Sequence, residues 1–330
     1  MKNLSFIPEL GKEYPEPEEA ANTQAIITAI LNRLQREYAP GKTLREFHAK
    51  MHGCVKASFA VSPDLPASYQ HGFLVPGKTY EAWVRFSNGN TKVLDDRKAD
   101  LRGMAIKLLN VPGEMLVQDK ALPQSQDFLL VSYPTLMSAT VSDFRKNIEA
   151  LCGGTKGMIL FGLNPANWPA IIRTLQSMKK CDHIFKKQFW SVSPYRLGPP
   201  NQAVKYTVIP ATTQEEGPVH KHADFLREDL QKQLASKPVV FDFMIQLQED
   251  AAKNPIENPC VEWKTPWKKV ASIKILPQHF DTPGQMSFGE NLAFSPWHSL
   301  AAHQPLGNIN RARKAAYLAV SAFRLARNGQ

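Results

Sequence analysis

The stretch "TYEAWVRFSNGNTKVLDDRKADLRGMAIKLLNV" (residues 79–111) decides the fold, because two runs of strand character flank a polar connection. The runs 79–87 and 103–111 have the length and residue types of short strands. The turn signal Asn-Gly-Asn at 88–90 ends the first run, and Val-Pro-Gly-Glu at 111–114 ends the second. The stretch therefore predicts neighbouring strands of an antiparallel sheet or barrel.

The same pattern continues on both sides of this stretch. Further strands are predicted at 54–61, 127–133, 202–210, 239–248 and 268–276. Helices are predicted at 21–38, where Ile26, Ile27, Ile30, Leu31 and Leu34 form one stripe, and at 151–190, 220–236 and the C-terminal stretch from 308. Many strands with segregated helices indicate an α+β fold, an antiparallel β-barrel with surrounding α-helices. No break in composition requires a second domain.

Composition excludes several classes of protein. The 330 residues are 43% hydrophobic and 21% charged, and no run approaches the roughly 20 apolar residues of a membrane span. Four scattered cysteines without a CxxC pair favour a reducing compartment, and the acidic, proline-rich start does not resemble a signal peptide. We therefore expect a cytoplasmic protein. The net charge of +10 comes from dispersed basic residues, so a nucleic-acid partner is disfavoured, whereas a homo-oligomer is left open.

The C-terminal helix contains an unusual polar group. Arg313, Tyr317 and Arg324 are at positions i, i+4 and i+11, which lie within roughly 60° of one another on a helix. An ordinary buried tyrosine beside a cation would explain the first two residues. A site that uses both guanidinium groups and the phenol is the alternative.

Two further segments contain candidate site residues. In "LREFHAKMHG" (44–53), His48 and His52 have the spacing of a zinc-protease helix, but the glutamate that should follow the first histidine is missing. A pair of surface histidines is the simpler interpretation. In "WVRFSNGN" (83–90), Arg85 marks either an edge or solvated strand face, or a ligand-binding position.

In their joint order, these segments resemble the haem catalases, and more closely their short relatives, the catalase-related peroxidases and allene oxide synthase domains. The resemblance covers about 44–324 and rests on "REFHAK" (45–50), "VRFS" (84–87), "DLRGMAIKLL" (100–109) and "ENLAFSPWHSLAAHQPLGNINRARKAAY" (290–317). It implies one catalase-like haem-binding domain over 1–330, with 1–40 as an N-terminal arm and helix, and haem b as cofactor.

The resemblance also implies roles for individual residues. Tyr317 would be the phenolate ligand of the haem iron, and Arg313 would stabilise its anion by charge and hydrogen bonding. Arg45, Arg85 and Arg324 would bind the two haem propionates, for which guanidinium forks are well suited.

On the opposite side of the haem, His48 would move a proton between the two peroxide oxygens, while Ser87 holds its ring. Phe144 would pack on the porphyrin.

Two departures from the family pattern concern the substrate. Ser132 stands where the family usually has an asparagine, and Phe47 precedes the histidine where a smaller residue is common. Both put efficient dismutation of hydrogen peroxide in doubt and are compatible with an organic hydroperoxide and a separate reductant. The expected activity is a haem peroxidase related to catalases. An isomerase of fatty-acid hydroperoxides, a haem carrier or sensor, and a relic that binds no haem stay open as alternatives.

Overall fold

A computed structural model describes residues 7–211 and 222–329. Its seven described helices are α1 (Glu19–Glu37), α2 (Val141–Cys152), α3 (Gly154–Leu163), α4 (Trp168–Ser177), α5 (Phe225–Leu234), α6 (Pro283–Asn291) and α7 (Asn308–Arg327). The nine described strands are β1 (Met51–Val61), β2 (Thr79–Asn88), β3 (Arg102–Leu109), β4 (Ser125–Val131), β5 (Phe189–Trp190), β6 (Tyr195–Arg196), β7 (Ala203–Pro210), β8 (Val239–Leu247) and β9 (Trp267–Ile275). Within these two ranges, no helix combines the length and hydropathy needed to cross a bilayer.

The strands form a closed antiparallel barrel, which confirms the predicted fold class. Neighbouring strands run in the order β5-β4-β3-β2-β1-β9-β8-β7. Pairing of β5 with β7 closes the ring, and β6 pairs with β7 beside it. A closed ring leaves no sheet edge, so Arg85 in β2 cannot mark an edge strand.

Most predicted elements are present, but the helix expected over 151–190 is only partly correct. α3 and α4 occupy its first two thirds, whereas residues 189–190 form β5 and close the barrel. A two-residue strand has no periodicity to detect, so barrel closure overrides the local pattern. The helix expected over 220–236 begins at Phe225, and its first two positions lie outside the described residues.

Aromatic rings fill the barrel interior. Phe59, Phe73, Phe128, Tyr206 and Phe243 are buried, and neighbouring rings lie 4.9–5.8 Å apart. Such a packed interior has no space for a large ligand, so a site must lie outside the barrel wall.

Two further apolar clusters lie outside the barrel interior. One is centred on Met51, Cys54, Leu292 and Phe294, against the outer face of β1 to β4. The other joins α1, α2 and α7 through Ile26, Ile30, Leu34, Val141, Ile148, Ile309 and Ala312. The first cluster includes Trp83 of β2, so this side of β2 is covered and its polar residues Arg85 and Ser87 are buried.

Candidate functional site

The outer face of β2 supplies the first site residues. Side chains alternate along a strand, so Val84 and Phe86 point into the barrel core while Arg85 and Ser87 share the outer face. Both are nevertheless buried. The interpretation of Arg85 as a residue on a solvated strand face is therefore wrong.

His48 lies just before β1 and is fixed against this face. Its φ of 60° is in the left-handed region, which is uncommon for a residue other than glycine. Arg85 Nη2 donates to the main-chain oxygen of His48 over 3.0 Å, and the His48 amide donates to Gly89. The imidazole Nδ1 lies 3.0 Å from the main-chain oxygen of Asn88 and 3.1 Å from Ser87 Oγ.

These contacts determine which ring nitrogen of His48 carries the hydrogen, and burial determines its charge. A main-chain oxygen only accepts hydrogen bonds, so Nδ1 carries the hydrogen and Nε2 keeps its lone pair. Burial, and then the charge of Arg85, lowers the pKa of His48 to about 4. The ring is therefore neutral at pH 7 and can accept a proton at Nε2.

Gly103 is a site residue that sequence reasoning missed. It pairs with Ser87 across β2 and β3. A Cβ at this position would lie 2.4 Å from His48 Nδ1 and 2.8 Å from Ser87 Oγ. The imidazole thus packs on bare backbone, and a glycine inside a strand pattern was the available signal.

A buried polar network holds Asn88, and through it His48, in place. Asn88 Nδ2 donates to Asp96 Oδ1 over 2.9 Å, while Asn88 Oδ1 accepts from Arg102 and lies 2.8 Å from His52 Nε2. His52 is 0% exposed, so the interpretation as a surface pair is wrong for this residue.

The zinc alternative requires both histidines to share one ion. His48 and His52 instead bond to different atoms of Asn88, the main-chain oxygen and the side-chain oxygen. Residues 7–211 and 222–329 contain no group of three His, Cys, Asp or Glu side chains placed to hold a metal ion.

α7 contributes the second part of the site. Arg313 Nη2 donates to the Tyr317 hydroxyl over 3.1 Å, and Nη1 donates to Asn310 Oδ1 over 3.1 Å. Burial opposes the charge of Arg313, but Tyr317 and Tyr195 raise its pKa above the ordinary value, so the guanidinium stays charged. The charge of Arg313 also contributes to the lowered pKa of His48, after burial and the charge of Arg85.

Three arginines from distant parts of the chain meet at the end of α6. Arg45 Nη2 and Arg324 Nη1 donate to the main-chain oxygen of Glu290 over 2.8 Å and 3.0 Å. Arg85 Nη2 lies 3.4 Å from the Glu290 carboxylate. Burial, and then the charges of Arg85 and Arg324, lowers the pKa of Arg45 well below its usual value. Three cations thus meet at one residue, and of the three only Arg85 contacts its carboxylate.

This arrangement fits a ligand with two carboxylates. Arg45 Nε, Arg85 Nε and Arg324 Nη2 are buried and have no hydrogen-bond partner among the described residues. Buried donors of this kind are costly unless a partner satisfies them. The propionates of a haem would supply both the missing acceptors and the missing negative charge.

Three other expected site residues have contacts or exposure of their own. Ser132 Oγ accepts a hydrogen bond from the Arg102 amide over 2.9 Å, next to the last pair of β3 and β4. The hydroxyl hydrogen of Ser132 stays available for donation. Phe144, in α2, packs in the layer that α2 forms with α1 and α7. Phe47 is partly solvent-exposed. The structure thus brings His48, Ser87 and the three arginines together, whereas Ser132 directly follows β4 and Phe144 packs among the helices.

No protein-family model and no curated protein sequence matches the chain. Solved structures do match, over 98% of the chain each time. A fungal catalase is 17% identical with a TM-score of 0.68, and catalase A from Saccharomyces cerevisiae is 18% identical with a TM-score of 0.69. A bacterial catalase is 16% identical with a TM-score of 0.57. The matches cover 66%, 68% and 64% of those proteins, so the chain spans about two thirds of their length. The chain therefore has the catalase fold.

Proposed function

We propose that the protein is a haem-dependent enzyme that reduces hydroperoxides, of the short catalase-related kind. The observation that carries this proposal is the composition of the site between barrel and helices. A neutral histidine contacts Arg85, which is one of three arginines that meet at Glu290. The helix that supplies Arg324 also carries a hydrogen-bonded tyrosine–arginine pair. That combination suits a buried, dianionic cofactor with a metal centre better than it suits a purely structural contact.

Haem b fits the residues present. Arg45, Arg85 and Arg324 would hold its propionates, which would satisfy the unpaired guanidinium hydrogens. Tyr317 would bind the iron as phenolate, and the hydrogen bond from Arg313 would help the phenol to ionise. When bound, haem supplies the electrons that break the oxygen–oxygen bond of a hydroperoxide.

His48 would move the proton in this reaction. Its free Nε2 accepts the proton of the hydroperoxide, and the same nitrogen returns that proton to the departing oxygen. The hydrogen bond from Nδ1 to the Asn88 carbonyl keeps Nε2 unprotonated before each turnover, and Ser87 and Gly103 fix the plane of the ring.

We infer that organic hydroperoxides are preferred to hydrogen peroxide. Ser132 already accepts a hydrogen bond from the Arg102 amide, so its hydroxyl has one donor left and a shorter reach than a carboxamide. An apolar Phe47 next to His48 would favour a substrate with an apolar body. A separate reductant would then complete the cycle.

Haem reconstitution tests the proposal. The purified protein, mixed with haem b, should develop the Soret band of a tyrosinate-ligated ferric haem, and Tyr317→Phe should shift that band or lose it. Tyr80→Phe is the matched control, since Tyr80 is a buried tyrosine at the other end of β2 with an unpaired hydroxyl. No haem uptake by the parent would refute the proposal, and identical spectra for parent and Tyr317→Phe would refute the ligand assignment.

A further inference from the structure

The short helices α3 and α4, joined by a tight turn over Pro165–Asn167 and called the hairpin below, present apolar side chains to solvent. Seven of the fifteen large hydrophobic side chains exposed in the described ranges fall within residues 158–175. Leu163 and Leu175 are 72% and 64% exposed. Scattered single hydrophobic residues on a surface need no explanation, but a cluster in one hairpin does. The apolar hairpin surface consists of Met158, Ile159, Leu160, Leu163, Trp168, Ile172 and Leu175.

The amphipathic pattern of α4 is reversed. Trp168, Ile172 and Leu175 occupy positions i, i+4 and i+7, the spacing that normally faces a core, yet all three are exposed. The hairpin packs on the rest of the protein through a small cluster that includes Phe161 and Ala170. Internal packing therefore does not account for the apolar stripe.

The hairpin and the residues that directly follow it are rich in positive charge. Residues 153–187 contain six lysines and arginines and a single acidic residue, a net +5 of the total +10. Basic residues are dispersed along the chain, but the expectation of a dispersed net charge is wrong, because half of it falls in this tenth of the sequence. Lys156, Lys179, Lys180 and Lys186 are exposed. A second copy of the chain would bring two like-charged rims together, whereas an anionic partner would be attracted.

The tip of the hairpin has few polar groups left to hydrate. Trp168 Nε1 donates to the Gly162 carbonyl over 3.0 Å. Asn167 Nδ2 donates to the Phe161 carbonyl over 2.9 Å, and Asn164 Oδ1 accepts from the Ala166 amide. Transfer of the tip out of water therefore leaves these donors satisfied and avoids their usual desolvation cost.

We propose that the apolar hairpin surface docks the protein onto an anionic phospholipid bilayer. α3 and α4 have ten residues each, about 15 Å, roughly half the hydrocarbon thickness, so the hairpin lies in the interface rather than across it. Apolar residues enter the headgroup boundary while the lysines contact anionic headgroups. The proposal does not depend on haem, but such docking would place the protein where apolar hydroperoxides concentrate.

Vesicle co-sedimentation of the full chain tests the docking. Vesicles of phosphatidylcholine and phosphatidylglycerol should carry the protein down, pure phosphatidylcholine vesicles should do so weakly, and added salt should reduce binding. The double variants Ile159→Ser with Ile172→Ser, and Lys179→Glu with Lys180→Glu, should each lower the partition coefficient at least about tenfold.

Matched variants elsewhere on the surface control for general changes in hydrophobicity and charge. Val93→Ser with Leu276→Ser removes two equally exposed apolar side chains, and Lys120→Glu with Lys274→Glu removes the same charge. Both should bind vesicles like the parent, and circular dichroism should show all four double variants folded. The proposal is overturned if the parent ignores anionic vesicles or if the control pairs lose as much binding as the hairpin pairs. Self-association that only the hairpin variants abolish, without vesicle binding, would identify a second copy as the occupant instead.

Discussion

Removal of Arg324 should weaken haem retention, whereas neutralisation of Glu290 should strengthen it. Arg45, Arg85 and Arg324 meet at Glu290, and each keeps a buried N–H group unpaired. If the cluster binds two propionates, Glu290 competes with them for the same cations. A purely structural cluster predicts no such pair of opposite effects.

The geometry sets the size of each effect. Arg324→Ala loses one buried, charge-assisted contact, about 1–3 kcal/mol, or about 5- to 150-fold in affinity. Arg45→Ala and Arg85→Ala should behave similarly. Glu290 is 35% exposed and lies 3.4 Å from Arg85, so solvent screens it and Glu290→Gln should improve affinity only about two- to fivefold.

Two measurements on reconstituted protein test whether the three arginines bind the haem propionates. Absorbance titration with haem b gives the affinity, and haem transfer to apomyoglobin gives the dissociation rate. Arg97→Ala, on the exposed loop before β3, should match the parent. Thermal unfolding of the haem-free variants separates affinity from stability, because Arg45 and Arg324 also cap the last carbonyls of α6. Unchanged transfer rates in the three arginine variants, or weaker binding in Glu290→Gln, would refute the assignment of a propionate site.

Two further predictions concern histidines. His48→Ala should retain the haem spectrum but slow hydroperoxide consumption about 10²- to 10⁴-fold in stopped flow. His279 is exposed, so His279→Ala should react at the rate of the parent. Equal rates in the two variants would exclude His48 as the base. Burial lowers the pKa of His52 and His303 to about 4 in the folded protein, against roughly 6.5 unfolded, so the unfolded chain binds more protons between these values. The free energy of unfolding should therefore fall as pH drops from about 6.5 to 4, by up to about 3 kcal/mol per pH unit for the two histidines. Urea titrations at several pH values measure this slope, and His303→Gln should reduce it. An unchanged slope in His303→Gln would contradict the assignment.

Local sequence patterns were sufficient to predict most of the barrel strands and the face of β2 that contributes to the candidate site. Runs of strand residues between turn signals located β1 to β4 and β7 to β9. The period of two along β2 places Arg85 and Ser87 on the same face without further information. β5 and β6 were not predicted, because two residues carry no pattern and their pairing depends on the closed ring.

The rest of the site depends on contacts between distant segments. Nothing near Glu290 in the sequence indicates that Arg45 and Arg324 will meet there, and the structural role of Asn88 appears only once His48 and His52 lie on either side of it. His52 illustrates the limit. Its spacing from His48 matched a zinc-protease helix, a surface pair was the simpler interpretation, and the structure buries His52 completely. The grouping of the three arginines was anticipated only through the family resemblance.

Two members of the arginine cluster, Arg85 and Arg45, also influence the base that the proposed reaction needs. Arg85, Arg313 and Arg45 all contribute, after burial, to a His48 pKa of about 4. Two bound carboxylates would cancel part of that positive potential, so cofactor binding should raise the pKa of His48 toward the range in which it both takes and returns a proton. The lower limb of the pH–rate profile should then lie above pH 4 in the loaded enzyme. Glu290→Gln should move this limb to lower pH, because it removes one negative charge near Arg85. A limb that Glu290→Gln does not move would show that His48 is insulated from the cluster.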